Sequence, residues 1–273
     1  DWTGSSTIND AVMRVKEAYF VYSTEYGDQP ISFSVGRRPS SEGFLANYRA
    51  NDDAPGSPLA HITNMEVNAA MVRLDWSRFI EGSYTKFVVG RAHSGDTTGV
   101  YSVGHTHPWG PNAELHGDDD NVDFALALGD AYNDGQYQVM YQWAHIFNTK
   151  GLNIAVNEAW KAAGKPLGVP NGTAANSGRA DLLSLGLKVD GIGDEINDFL
   201  DDTTAFISAA YTNYDAKGGY SLLGSSSGGS KDGTSIWMGV IIPDMMTESG
   251  KLGFEYNHGS KYWTPMTWAE DTA

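Results

Sequence analysis

The sequence predicts an all-β fold, a transmembrane antiparallel up-and-down β-barrel, and two regularities carry that prediction. About ten segments alternate apolar residues with small or polar ones at period two, the mark of strands with one apolar face. The connections between them alternate short and long along the chain. A soluble sandwich buries its apolar faces against each other and has no reason for such a rhythm. An outer-membrane barrel has both features by construction: apolar-out strands, short turns at one end and long loops at the other.

The stretch Glu17–Arg37 sets the pattern. Its second arm places Ile31, Phe33 and Val35 on one face and Ser32, Ser34 and Gly36 on the other. The first arm, within residues 11–24, sets Ala18, Phe20 and Tyr22 against Glu17, Tyr19, Val21 and Ser23, and the turn between them carries Gly27, Asp28 and Pro30. A long polar segment over residues 39–64 follows. The third run opposes Ala70, Val72, Leu74 and Trp76 to Ala69, Met71, Arg73 and Asp75. The fourth opposes Phe87 and Val89 to Lys86, Val88 and Gly90 before another long polar stretch over residues 93–120.

In the fifth run Val122, Phe124, Leu126 and Leu128 form the apolar face, with Asp123, Ala125, Ala127 and Gly129 opposite. The stretch from Asp130 to Gly135 reads as its hairpin turn. The sixth run returns with Tyr137, Val139, Tyr141 and Trp143 on one face. A long connection over residues 148–178 has room for a short helix around Leu152–Ala163. Leu183, Leu185, Leu187 and Val189 make the seventh apolar face, and an acidic link allows one helical turn from Glu195 to Leu200. The eighth, ninth and tenth runs are led by Ile207, by Ile236 and by Leu252, with a Gly/Ser-rich loop over residues 215–232 and a tight turn at residues 247–250.

Composition narrows the function. The formal charge of −16 argues against general electrostatic binding of nucleic acid or anionic lipid and favours cations. With no cysteine, neither disulfides nor thiolate metal sites are available. No apolar run approaches the roughly 18 residues of a membrane-spanning helix, whereas barrel strands need only about 9–11 residues. Aromatics at strand ends, including Tyr22, Trp76, Tyr137, Trp143, Tyr211 and Tyr256, suit a lipid interface, where the ring is apolar and the tip meets water.

Charges punctuate the small and polar face at Glu17, Arg73, Asp75, Lys86, Asp123, Lys188 and Glu255, which are therefore the candidates for lining a water-filled pore. Arg37 and Arg38 join them at the mouth of a long loop. Opposed to Glu17, Asp75 or Asp123, they would create a transverse field across a channel.

Glu17-Ala-Tyr-Phe-Val-Tyr22 followed by Ile31-Ser-Phe-Ser-Val-Gly-Arg-Arg-Pro-Ser40 resembles the strand–turn–strand of Gram-negative porins. Gly36-Arg-Arg-Pro-Ser-Ser-Glu-Gly43 and Gly253-Phe-Glu-Tyr-Asn-His-Gly-Ser-Lys-Tyr-Trp263 resemble an uncharacterised porin-like outer-membrane family of Campylobacterota. The resemblance implies a barrel in the bacterial outer membrane that passes small solutes or ions by passive diffusion, without enzymatic activity or cofactor. Its partners would be outer-membrane lipid, the permeant and, in a homo-oligomer, further copies of the chain. Porin-like chains begin with a signal peptide and end in a strand closed by an aromatic residue. This one opens at Asp1 and ends in the polar stretch Trp268–Ala273, so residues 1–273 are expected to be a single barrel domain truncated at both ends.

The alternative reading, a secreted soluble β-protein, rests on the loop over residues 93–120. His105-Thr-His107-Pro108 with Asp118 is similar to the zinc-ligand spacing of the JAMM metalloisopeptidases, in which two imidazoles and a carboxylate leave a site for an activated water. The serine of that pattern is Leu115 here. A non-catalytic metal site would draw on His105, His107, His116 and Asp118–Asp120.

Overall fold

Alternation in β1 (Ala18–Tyr26) and β2 (Gln29–Ser40) closes over a turn of two residues, with Gly27 at φ 62°, a conformation that favours glycine. In this computed structural model, which describes residues 17–40, 43–44, 47, 55–93, 121–155, 162, 175–193, 196–222, 229–244, 246–247 and 250–267, that hairpin repeats along the chain. The next strands are β3 (Thr63–Asp75), β4 (Tyr84–His93), β5 (Asn121–Asn133), β6 (Tyr137–Asn153) and β7 (Ala175–Asp190). They are followed by β8 (Thr204–Ala216), β9 (Tyr220–Ser221), β10 (Ser230–Pro243), β11 (Lys251–Gly259) and β12 (Met266–Thr267).

The ten long strands pair antiparallel in chain order as one sheet, β1 to β8 and then β10 and β11. β9 pairs with β6, and β12 runs parallel to β3. Among the described residues β1 and β11 do not pair with each other, so the sheet is open. Through β7 the short connections lie at one end of the strands and the long ones at the other, as the sequence rhythm predicts; the β7–β8 link over residues 191–203 is as long as the β8–β10 link over residues 217–229 and departs from it.

Two helical expectations are refined. The acidic link forms α1 (Asp198–Asp201), capped by the Asn197 side chain accepting from the Leu200 amide; it overlaps the end of the expected Glu195–Leu200 turn and runs one residue past it. Leu152 and Asn153 end β6 instead of starting a helix; residues 154, 155 and 162 are helical, and the remainder of that stretch lies outside the described residues.

Strand register brings the apolar residues into continuous rows across the sheet. One row runs Phe33, Val72, Phe87, Ala127, Trp143, Leu183 and Tyr211, each the Cα partner of the next. Its larger members are exposed, as are Val89, Leu185, Leu187, Ile236, Phe254 and Tyr256 on the same face. On β7 the contrast is sharp: Leu185 is 58% exposed and Leu182, on the opposite face, 0%.

The opposite, inner face carries the core. Ala69, Met71, Val88, Phe124, Leu126, Ala144, Leu182 and Ala210 pack there with Ile62, joined by Trp263 and Met266 from the C-terminal end. Here the fifth run is reversed. Val122, Phe124, Leu126 and Leu128 do not share a face with Leu183 and Phe33; they are buried on the inner side, and Asp123, Ala125 and Ala127 face outward. Volume explains the reversal. A Cβ on Gly90 would meet the Phe124 ring at 2.6 Å, so the phenylalanine fills the space over a glycine and against the small Ala69 and Ala144.

Candidate functional site

The inner face is occupied by the chain itself. After β2 the connection returns across the sheet, and Phe44, Leu59 and Ala60 pack against Met140 of β6, Phe206 of β8 and Trp237 of β10. Leu59 lies over Gly186, where a Cβ would stand 3.2 Å from its methyl carbon. The side-chain amide of Gln142 on β6 donates to the Thr63 hydroxyl. The C-terminal segment covers the same region: Tyr214 donates its hydroxyl to the Thr264 carbonyl at 2.9 Å, and the Met266 amide donates to the Ile62 carbonyl at 2.8 Å.

His61 clasps this inner segment to the wall. Its Nδ1 stands 2.7 Å from Ser208 Oγ on β8 and its Nε2 3.0 Å from Ser235 Oγ on β10. Ser235 donates its proton to Asn257 Oδ1, so it accepts from Nε2–H and Ser208 donates to Nδ1. The ring lies edge-on to Trp237 and Trp263, and desolvation pushes its pKa down to about 4, so the clasp holds a neutral imidazole. Ser208 and His61 stand at the separation of a nucleophile and its base. Both are buried, and the second ring nitrogen meets a hydroxyl in place of a carboxylate; the arrangement fastens a segment.

Towards the short-turn end the inner face turns polar. Arg73, Asp75, Lys86 and Lys188 all lie there, as the sequence places them. Arg73 Nη2 meets Asp75 Oδ2 at 3.2 Å and Lys188 Nζ meets Asp190 Oδ2 at 2.5 Å. Lys188 also stands over the ring of Phe44, 5.4 Å from its centroid, where the inner segment meets the wall. Glu255 is on this face of β11 and accepts from Trp237 Nε1 at 2.9 Å. Arg38 is on it too, donating to Ser34 Oγ at 2.6 Å.

The remaining candidates fall elsewhere. Arg37 and Asp123 belong to the outer face, Arg37 in phase with Ile31, Phe33 and Val35, and Asp123 in an ion pair with its cross-strand partner Arg91 at 2.5 Å. For Asp123 the cause is the reversed phase of β5; for Arg37 it is plain alternation, since Arg37 and Arg38 must point to opposite sides of one strand. Glu17 is exposed just before β1. His105, His107, His116 and Asp118 lie outside the described residues, and among the described residues no three His, Asp or Glu side chains gather as a metal site.

Asp130 is a member of this face that the sequence reading assigned to a turn. β5 continues to Asn133, with a register shift between Asp130 and Tyr132. The buried Asp130 carboxylate accepts from Asn133 Nδ2 at 3.2 Å and Gln138 Nε2 at 2.9 Å, both on Oδ2. A signal was present: residues 122, 124, 126, 128 and 130 share one phase, so Asp130 continues the Leu128 face. His61 had no comparable signal, since it sits in a polar connection without periodicity.

The family model described as "Protein of unknown function (DUF3373)" matches residues 1–273. No curated protein and no solved structure matches the chain.

Proposed function

The chain belongs to the DUF3373 family, and we propose that it forms an outer-membrane β-barrel through which small solutes or ions diffuse past an internal constriction. One observation carries the reading: the exposed face of the sheet carries apolar side chains on every long strand from β1 to β11, with one unbroken apolar row from Tyr22 of β1 to Tyr211 of β8. A surface of that extent left to water would be an aggregation hazard, and acyl chains are the solvent that suits it. The alternating connections support the same orientation, with turns at one membrane surface and long loops at the other. β1 and β11 are the edges at which the barrel is completed, because an unpaired strand edge inside lipid leaves backbone groups without partners. Arg38, Arg73, Asp75, Lys86, Lys188 and Glu255 then face the lumen, and the inner segment narrows it.

Reconstitution tests this directly. The full-length protein, refolded into detergent and added to planar bilayers, is expected to give stepwise ionic conductance. A protein that stays monomeric and folded in buffer without detergent, and is silent in bilayers, would refute the proposal.

A further inference from the structure

Three cations, Arg38, Arg73 and Lys86, share the inner face of β2, β3 and β4 with two carboxylates, Asp75 and Asp130. Arg73 and Lys86 are direct Cα partners across β3 and β4, an arrangement of like charges that destabilises a sheet unless something neutralises it. Both also approach the ring of Tyr84, with Arg73 Cζ 4.5 Å and Lys86 Nζ 5.4 Å from its centroid. Arg38 reaches toward them from β2, its Nη1 2.6 Å from Ser34 Oγ and 3.8 Å from Met71 Sδ; Met71 shares the inner face two residues before Arg73.

The carboxylates nearby leave these donors partly unmet. Asp75 takes one Arg73 nitrogen at 3.2 Å, while Arg73 Nε is buried with no acceptor among the described residues. Asp130, on the strand next to Lys86, attracts it without forming an ion pair; its Oδ2 is held by two side-chain amides and its Oδ1 is buried with no hydrogen-bond partner among the described residues. Neither Lys86 nor Arg38 has a carboxylate at ion-pair distance among the described residues.

We propose that Arg38, Arg73 and Lys86 form a binding site for a small oxyanion, the chemistry of sulfate or phosphate, on the inner wall of the sheet. A tetrahedral oxyanion offers several acceptors to guanidinium and ammonium donors carried on one face of three adjacent strands, and its charge removes the repulsion between Arg73 and Lys86. The site sets a local anion preference that the net charge of −16 conceals, because that excess is spread over the whole chain. Binding stands on this geometry alone; the part played in permeation rests on the channel reading above.

The test uses the full chain folded in phospholipid-free micelles of a neutral detergent, titrated calorimetrically with sodium sulfate. A single saturable site is expected, weakened about tenfold or more in Lys86→Gln and in Arg38→Gln and unchanged in Lys251→Gln, with folding of each variant checked by circular dichroism. Arg38→Gln, which gives up the contacts to the buried Ser34 Oγ and Met71 Sδ but leaves the apolar core side chains in place, carries the test if Lys86→Gln does not fold. In bilayers under a salt gradient, the same two variants are expected to shift the reversal potential toward cation preference. No saturable sulfate binding by the parent protein, or equal binding by both variants, would overturn the site. Sulfate binding without any conductance would remove the channel reading and leave the site standing.

Discussion

At the scale of single residues, His61 joins packing to protonation. A histidine in the unfolded chain titrates near 6.5, and burial in the clasp lowers the folded value to about 4. Above pH 6.5 both states are neutral and the clasp contributes fully. As pH falls from 6.5 toward 4 the unfolded state binds the proton first, so stability declines through that window, by up to about 3 kcal/mol. Urea midpoints measured in micelles between pH 7 and pH 4 are expected to show this fall in the parent protein and to lose that component in His61→Gln. A pH profile identical in the two proteins would contradict the neutral clasp.

At the scale of elements, β7 shows what strand alternation can and cannot say. Leu185 and Leu182 are the same residue type on opposite faces, one exposed and one buried. If the outer face meets lipid, Leu185→Arg costs about 2–4 kcal/mol near the membrane midplane. On a protein surfaced by water the same change stays within about 0.5 kcal/mol. Denaturant unfolding from liposomes measures the difference. Leu182→Ala is expected to cost about 2–5 kcal/mol in either medium, because it opens a cavity in the inner core. β5 marks the limit of periodicity: its alternation is as clean as that of β7, but its large residues point the other way.

At the scale of the whole molecule, the inner segment decides how much of the lumen is open. Leu59 is buried between Gly186, Met140 and the rings of Phe206 and Trp237, and His61 fastens the same segment to β8 and β10. Loosening it with Leu59→Ala and His61→Ala together is expected to raise single-channel conductance or its open-state noise, recorded against the parent protein in the same bilayers. Identical conductance would mean that the permeation path avoids this segment. The outer surface and strand order should survive the change, since the sheet is held by its own backbone pairing.

The sequence by itself determined the ten long strands, their antiparallel order and, through β7, the alternation of short and long connections. These depend on period-two patterning and on turn residues, both local properties of the chain. It also placed Arg73, Asp75, Lys86, Lys188 and Glu255 on one face, because alternation from a neighbouring strand residue suffices for that. Tertiary structure alone decided which face is inside. Phe124 turns inward on β5 because Gly90, Ala69 and Ala144 leave it a volume to fill, and that volume belongs to three other strands. The same holds for the segment around His61: its partners, Ser208 and Ser235, stand 147 and 174 residues further along the chain, and only the folded sheet brings them together.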